Sequence, residues 1–339
     1  MLAAVTDRRY NVFHQHELEA HATQDLPGAL APVTLTGVNG VAESQILKGV
    51  ARSFFLSLRL LPAPMRSAAS LGYLLARTSD TLADATTVPV ARRTEALAAF
   101  AEAVAAPVAL QCWPQTLLDA LPDPRERRLL EQTPALLSWL HALPAAEAAL
   151  VCEVVATIIS GQQLDLQRFA TASGEQPVAL PDAAALDDYA WRVAGCVGEF
   201  WTRLGFLTLG SRFSSGDPAV LLDQGRAYGK GLQLVNILRD LPVDLAAGRC
   251  YLPVADPADR AALLACHASW LERALPWIEQ GRSYALSLPM RRLRAATQLP
   301  ALLAAETLVR LRGATWQTLQ SRVKVPRRRV YALLLRALC

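Results

Sequence analysis

The chain is predicted to be all-α, a single helical domain whose helices are apolar on most faces or enclose a central apolar cavity. Three observations carry that expectation. Alanine, leucine and arginine dominate, while the Val/Ile/Thr/Tyr alternation that marks strands is scarce. Apolar residues make up 52% of the 339 residues and charged ones only 19%, which excludes disorder as a global description. Mean hydropathy is +0.21, as expected of helices apolar on most faces or of a large apolar interior.

The elements follow in order. Residues 1–40 read as an N-terminal extension: a polar run with His14, His16, Glu17 and Glu19, then a Pro/Gly-punctuated stretch from Pro27 to Gly40. Those histidines have no partner cluster to make a metal site. The helical domain is placed at 41–339. From Ile46 onward helical patterns succeed one another, with breaks expected at Pro62–Pro64, Pro122–Pro124, Gly174–Pro181, Gly216–Pro218 and Gly248–Pro257. There is no solenoid repeat. No Gly-x-Gly-x-x-Gly follows a strand-like run, so a nicotinamide cofactor would have to bind without a Rossmann unit.

The net charge of +4 is modest and reads as well spread, with Arg327-Arg328-Arg329 as the one local run, expected to be a solvated helix start. No basic patch is interleaved with aromatics, which argues against nucleic acid. Six cysteines show no Cys-x-x-Cys pairing, as suits a reducing, cytoplasmic compartment. Asp7, Arg8 and Arg9 interrupt any secretory apolar run, and no stretch reads as a clean spanning helix. The expected membrane relation is at most peripheral, from the inner face.

Two polar stripes are the informative feature. Tyr73, Arg77, Asp80 and Asp84 stand at i, i+4, i+7 and i+11, sharing one face of an otherwise apolar helix. Gln233, Asn236, Asp240 and Asp244 repeat the device at i, i+3, i+7 and i+11. Each stripe ends in Asp-x-x-x-Asp. Buried alone, such carboxylates would be costly; facing one another across a cavity, they make a site for hard cations. Magnesium suits it, since it takes a carboxylate or two plus substrate phosphates. Crowded carboxylates would repel one another, which itself implies a cationic occupant. Arg52, Arg77, Arg239 and Arg249 cluster at the two pairs, and guanidinium forks suit phosphate oxygens.

These residues resemble the squalene/phytoene synthase family. The marks are Arg52-Ser53-Phe54, Tyr73 with Arg77, Asp80 to Asp84, Tyr189 through Gly198, Gln233 through Asp244, and Gly248 to Pro253. Two departures stand in the second motif: Val243 where family members often carry Glu, and Pro242 between the aspartates, where it removes a helix hydrogen bond and is expected to kink the helix. The form Arg-Asp-Leu-Pro-x-Asp, with Ser160-Gly-Gln-Gln-Leu-Asp-Leu166, is similar to the bacterial squalene synthase branch, whose product feeds sterols or hopanoids.

The resemblance implies an isoprenoid-synthase-type bundle that joins two farnesyl diphosphates head-to-head through presqualene diphosphate, with Mg²⁺ on Asp80, Asp84, Asp240 and Asp244. It implies diphosphate contacts from Arg52, Arg77, Arg239 and Arg249, a catalytic set of Tyr189, Tyr73 and Arg77, and a pocket lined by Ser53, Phe54, Gln233 and Asn236. In the squalene-forming branch NADPH ends the reaction, and Arg322–Arg327 resembles a cofactor-linked segment, pointing to Lys324 and Arg327. The rivals are a phytoene or dehydrosqualene synthase without hydride transfer, a non-catalytic assembly protein, which would have lost the Asp pairs, and a head-to-tail prenyltransferase, against which the Tyr189–Gly198 and Gly248–Pro253 blocks argue.

Overall fold

The computed structural model describes residues 58, 60–106 and 112–338. The N-terminal extension and the Arg52-Ser53-Phe54 block lie outside them. Helix α1 (Ala63–Asp84) starts at the first expected proline break, with proline tolerated in a first turn because its missing N–H has no helical acceptor there. Then come α2 (Val90–Ala105), the short α3 (Gln115–Asp119), α4 (Pro124–Glu131), α5 (Thr133–Ala142) and the 24-residue α6 (Ala145–Arg168). Helix α7 (Ala183–Ala190) runs through a π-helical turn at Trp191–Gly195 into α8 (Cys196–Leu209). The second half is built from α9 (Pro218–Ala246), α10 (Arg260–Leu286), α11 (Arg291–Leu311), α12 (Trp316–Gln320) and α13 (Arg327–Leu338).

Two two-residue strands are the one departure from an all-helical reading among the described residues. β1 (Val178–Ala179) pairs in parallel with β2 (Arg249–Cys250), in the register Val178↔Arg249 and Ala179↔Cys250. The pairing closes the loops after α6 and α9 onto each other. Gly248, at φ +83°, makes the turn into β2, a conformation favouring glycine.

Packing follows the apolar faces. Helix α1, buried almost without interruption from Ala68 to Ala83, lies against α6 and α8. Helix α9 lies against α10, α8 and the π turn. A large core runs through all of these, and a smaller cluster of Ala295, Leu302, Leu333 and Ala337 joins α11 to α13. Helix α6 is long and apolar enough, by length and composition, to cross a bilayer, contrary to expectation. Its buried face packs on α1, α2 and α8, however, so its apolar character serves the core.

The Gly195–Gly198 block has a packing function. A Cβ on Gly198 would run into the carbonyl of Gly225, and one on Gly229 into that of Ala194. The backbones of α8, the π turn and α9 therefore cross with no room for a methyl group. Gly198→Ala is expected to cost about 1–3 kcal/mol through overpacking, seen as a melting temperature lower by several degrees. Gly72→Ala, whose Cβ would sit 3.4 Å from the Phe200 ring, is expected to leave it unchanged or raise it. Equal melting of the two variants would refute the tight crossing.

Candidate functional site

Each expected stripe forms on a continuous helix. Tyr73, Arg77, Asp80 and Asp84 end α1, where Arg77 and Asp80 are only 5% exposed. A guanidinium buried this deeply needs anions. Arg77 Nη2 donates to Glu126 Oε1 on α4 at 2.9 Å. Burial alone would lower its pKa, but Asp80, then Tyr73, Glu126 and Asp84, raise it above the ordinary arginine value. Burial pushes the Tyr73 hydroxyl up to about 12, so it stays a neutral donor at physiological pH. Asp80 Oδ1 accepts from Gln162 Nε2 on α6 at 2.6 Å.

On α9, Gln233, Asn236 and Arg239 are half-buried, and Asp240 and Asp244 are buried. Arg239 forks onto Asp240, Nε at 3.1 Å from Oδ1 and Nη2 at 2.5 Å from Oδ2. From β2, Arg249 Nη2 lies 3.9 Å from Asp244 Oδ1. The helix continues through Pro242, so no break separates the two aspartates.

Between the stripes runs a chain of contacts centred on α6. One turn beyond Gln162, Asp165 Oδ2 accepts a 2.5 Å hydrogen bond from the Tyr251 hydroxyl. The Tyr251 ring stacks on Tyr189, with centroids 4.7 Å apart and planes 19° from parallel, and Phe169 meets it edge-on. Tyr189 ends α7 just before the π turn, a distortion that often marks functional positions. Asp80, Gln162, Asp165, Tyr251 and Tyr189 thus form one linked set, and Arg249, two residues before Tyr251, extends it to Asp244.

One part of the electrostatic expectation is corrected. Among the described residues, no three Asp, Glu, His or Cys side chains gather into a group that could hold one metal ion. The four aspartates are not gathered into one cluster, and each pair has arginine beside it. The donors still fit magnesium, being buried hard oxygens without thiolate or imidazole, with the rest of an octahedron left to phosphate and water oxygens. Asp80 and Asp84, and likewise Asp240 and Asp244, are the residues that would hold it.

Lys324 and Arg327 are exposed at the head of α13, whose main packing partner is α11 rather than the helices bearing the aspartates. Sequence reasoning missed Glu126, Gln162, Asp165 and Tyr251 as members of the site. The last three lie inside recognised motif blocks, and the signal for two of them was polar residues at i and i+3 on the apolar α6. Tyr251→Phe keeps the stacked ring and removes a hydrogen bond to a charged acceptor. It is expected to cost about 1.5–3 kcal/mol, read as a fall in melting temperature, and an unchanged melt would remove that bond from the linked set.

Comparisons with known proteins bear on the family and the fold. A family model described as squalene/phytoene synthase matches residues 47–329. Presqualene diphosphate synthase of Zymomonas mobilis is 32% identical over 163 residues, 43% of this chain and 50% of that protein. The 15-cis-phytoene synthase of Synechocystis is 30% identical over 224 residues, 62% of this chain and 55% of that one. The chain thus matches about half the length of these curated relatives. A solved complex of TcSQS with the ligand E5700 has the same fold, with TM-score 0.71 at 23% identity, covering 88% of this chain and 85% of that one.

Proposed function

Because the chain belongs to the squalene/phytoene synthase family, we propose that it joins two farnesyl diphosphates head-to-head in a Mg²⁺-dependent reaction that forms presqualene diphosphate. The observation that carries this reading is the pair of buried Asp-x-x-x-Asp stripes, each supplied with arginine and linked through α6.

In this reading Asp80, Asp84, Asp240 and Asp244 would hold Mg²⁺, and the metal would supply charge neutralisation for a departing diphosphate. Arg77, Arg239 and Arg249 exchange their carboxylate partners for phosphate oxygens as substrate arrives, with Arg52 proposed to join them. Tyr73 adds a neutral hydroxyl donor beside Arg77. The allylic C–O bond of one substrate breaks, its C1 bonds to the double bond of the other, and loss of a proton closes the cyclopropane. Tyr189 assists that proton loss, held in place by stacking on Tyr251, which Asp165 anchors. The leucines flanking both stripes exclude water from the cation, and Gln233 and Asn236 line the prenyl pocket, with Ser53 and Phe54 proposed to join them.

We extend the proposal to reduction to squalene by NADPH, on the Arg-Asp-Leu-Pro-x-Asp form of the second motif. The chain has no Gly-x-Gly-x-x-Gly cradle, so the cofactor's phosphates would be held by isolated basic side chains, for which Lys324 and Arg327 are the candidates. A second reading stops at presqualene diphosphate, the product named for the Zymomonas relative. Incubation with farnesyl diphosphate and Mg²⁺, with and without NADPH, decides between them. Presqualene diphosphate without the reductant and squalene with it is the expected pattern; presqualene diphosphate under both conditions supports the second reading. A linear hydrocarbon made without any nicotinamide would identify a dehydrosqualene-type enzyme, and failure to consume farnesyl diphosphate would overturn the proposal. In the same assay Asp84→Asn and Asp240→Asn are each expected to slow turnover by about 10²-fold or more.

We also propose that the protein sits peripherally on an anionic membrane through α11 and α13. The charge is not evenly spread, as the motif-level reading had it: residues 291–339 hold eleven arginines and lysines against the single acid Glu306, and residues 1–290 are net acidic. Tyr331 and Leu335, one helical turn apart on α13, are 59% and 66% exposed beside this charge. Basic residues with exposed apolar side chains on an amphipathic helix suit a bilayer interface. Vesicles containing phosphatidylserine are expected to sediment the protein, neutral vesicles are not, and Tyr331→Ser/Leu335→Ser is expected to weaken the association. Retention by DNA but not by vesicles would reassign the face. Lys324→Ala separates the two roles open to that residue, since a raised NADPH requirement marks a cofactor contact and weakened sedimentation a lipid contact.

A further inference from the structure

Proline inside a helix removes one N–H, and so leaves the carbonyl four residues earlier without its helical donor. In α9 that proline is Pro242, between Asp240 and Asp244, and the carbonyl is that of Leu238. A buried carbonyl in this position needs a donor from elsewhere. The structure supplies one: His267 Nε2, on α10, lies 3.1 Å from Leu238 O. Because the partner can only accept, the imidazole carries its proton on Nε2 and donates. His267 is only 3% exposed, and burial lowers its pKa, consistent with a neutral ring.

The consequence falls on the second carboxylate pair. An unsatisfied turn at this point would invite water insertion or a kink, and either would alter the one-turn spacing of Asp240 and Asp244. We infer that His267 is a positioning residue, which replaces the hydrogen bond lost at Pro242 and so holds Asp240 and Asp244 in register for a metal–diphosphate ligand. The inference rests on the proposed function only in naming that ligand; the contact between His267 and Leu238 stands apart from it.

A double-mutant cycle on the full chain tests it. Pro242→Ala gives residue 242 an N–H and returns to Leu238 O its own helical donor, so His267 becomes dispensable. His267→Leu alone is expected to lower the melting temperature and to raise about tenfold the Mg²⁺ concentration needed for half-maximal stabilisation in the presence of inorganic diphosphate, the scale on which residues that orient metal ligands act. His267→Gln, which retains a donor, is expected to recover part of both. In the Pro242→Ala background His267→Leu is expected to cost much less in both measurements, and that coupling is the decisive quantity. Equal losses in the two backgrounds would overturn the hydrogen-bond replacement. Thermal coupling without any change in the Mg²⁺ requirement would overturn the positioning role, leaving His267 a purely structural donor. Should the chain fail to consume farnesyl diphosphate at all, the thermal cycle still judges the contact, so the two failures are distinguishable.

Discussion

The placing of carboxylates inside an apolar helical core is the constraint on which the rest of this structure depends. Asp80, Asp165, Asp240 and Asp244 are buried among leucines and valines, where an ionised group without partners is strongly disfavoured. Each is therefore matched. Gln162 donates to Asp80, Tyr251 to Asp165, and Arg239 to Asp240, while Arg249 stands near Asp244. Arg77, itself buried, draws on Asp80, Glu126 and Asp84 together. These partners come from four helices and a strand, so the electrostatic requirement of the site also fixes how the elements meet.

Helix α6 shows this most directly. Its composition is that of a membrane-spanning segment, yet its two buried polar residues face the two halves of the site. Gln162 reaches α1, and Asp165 reaches the residue after β2. The short β1–β2 pairing matters for the same reason, since it holds Arg249 and Tyr251 against the end of α6 rather than leaving them on a free loop. Glycine supplies the complementary constraint: the crossing of α8 and α9 at Gly198 and Gly225 brings the backbone that follows Tyr189 directly against the helix that carries Asp240.

What was legible in the sequence were features repeated along a single helix. The bounds of α1, the unbroken α9, both four-residue stripes and the proline breaks all follow from periodicity and the N–H that proline lacks. What was not legible were contacts between helices. Gln162 meets Asp80 across 82 residues, Tyr251 meets Asp165 across 86, and Arg77 meets Glu126 across 49. No local pattern encodes such distances. Glu126 stands on a short arginine-rich helix, where no local pattern sets it apart from its charged neighbours. Pro242 showed only a lost helix hydrogen bond, because the donor that replaces it sits on another helix, at His267. The arginines were legible as a cluster near each Asp pair, but which acid each one meets was not, because Arg77 finds Glu126 on another helix and Arg249 reaches Asp244 from a strand.

The division between these two kinds of information bears on why the reaction class is easier to read than the product. Ionising an allylic diphosphate asks for charge at fixed positions, and charge at fixed positions leaves polar residues at regular spacing on apolar helices. Selecting a product asks for depth and shape in an apolar pocket, and these arise from many leucines, valines and alanines that are individually interchangeable with core residues. Where the reaction ends depends further on whether a reductant reaches the cation before it loses a proton. In the proposed reaction the polar stripes therefore speak to how the first bond is broken. Under that proposal, the choice among presqualene diphosphate, squalene and a longer hydrocarbon belongs to side chains whose sequence signal is that of an ordinary core.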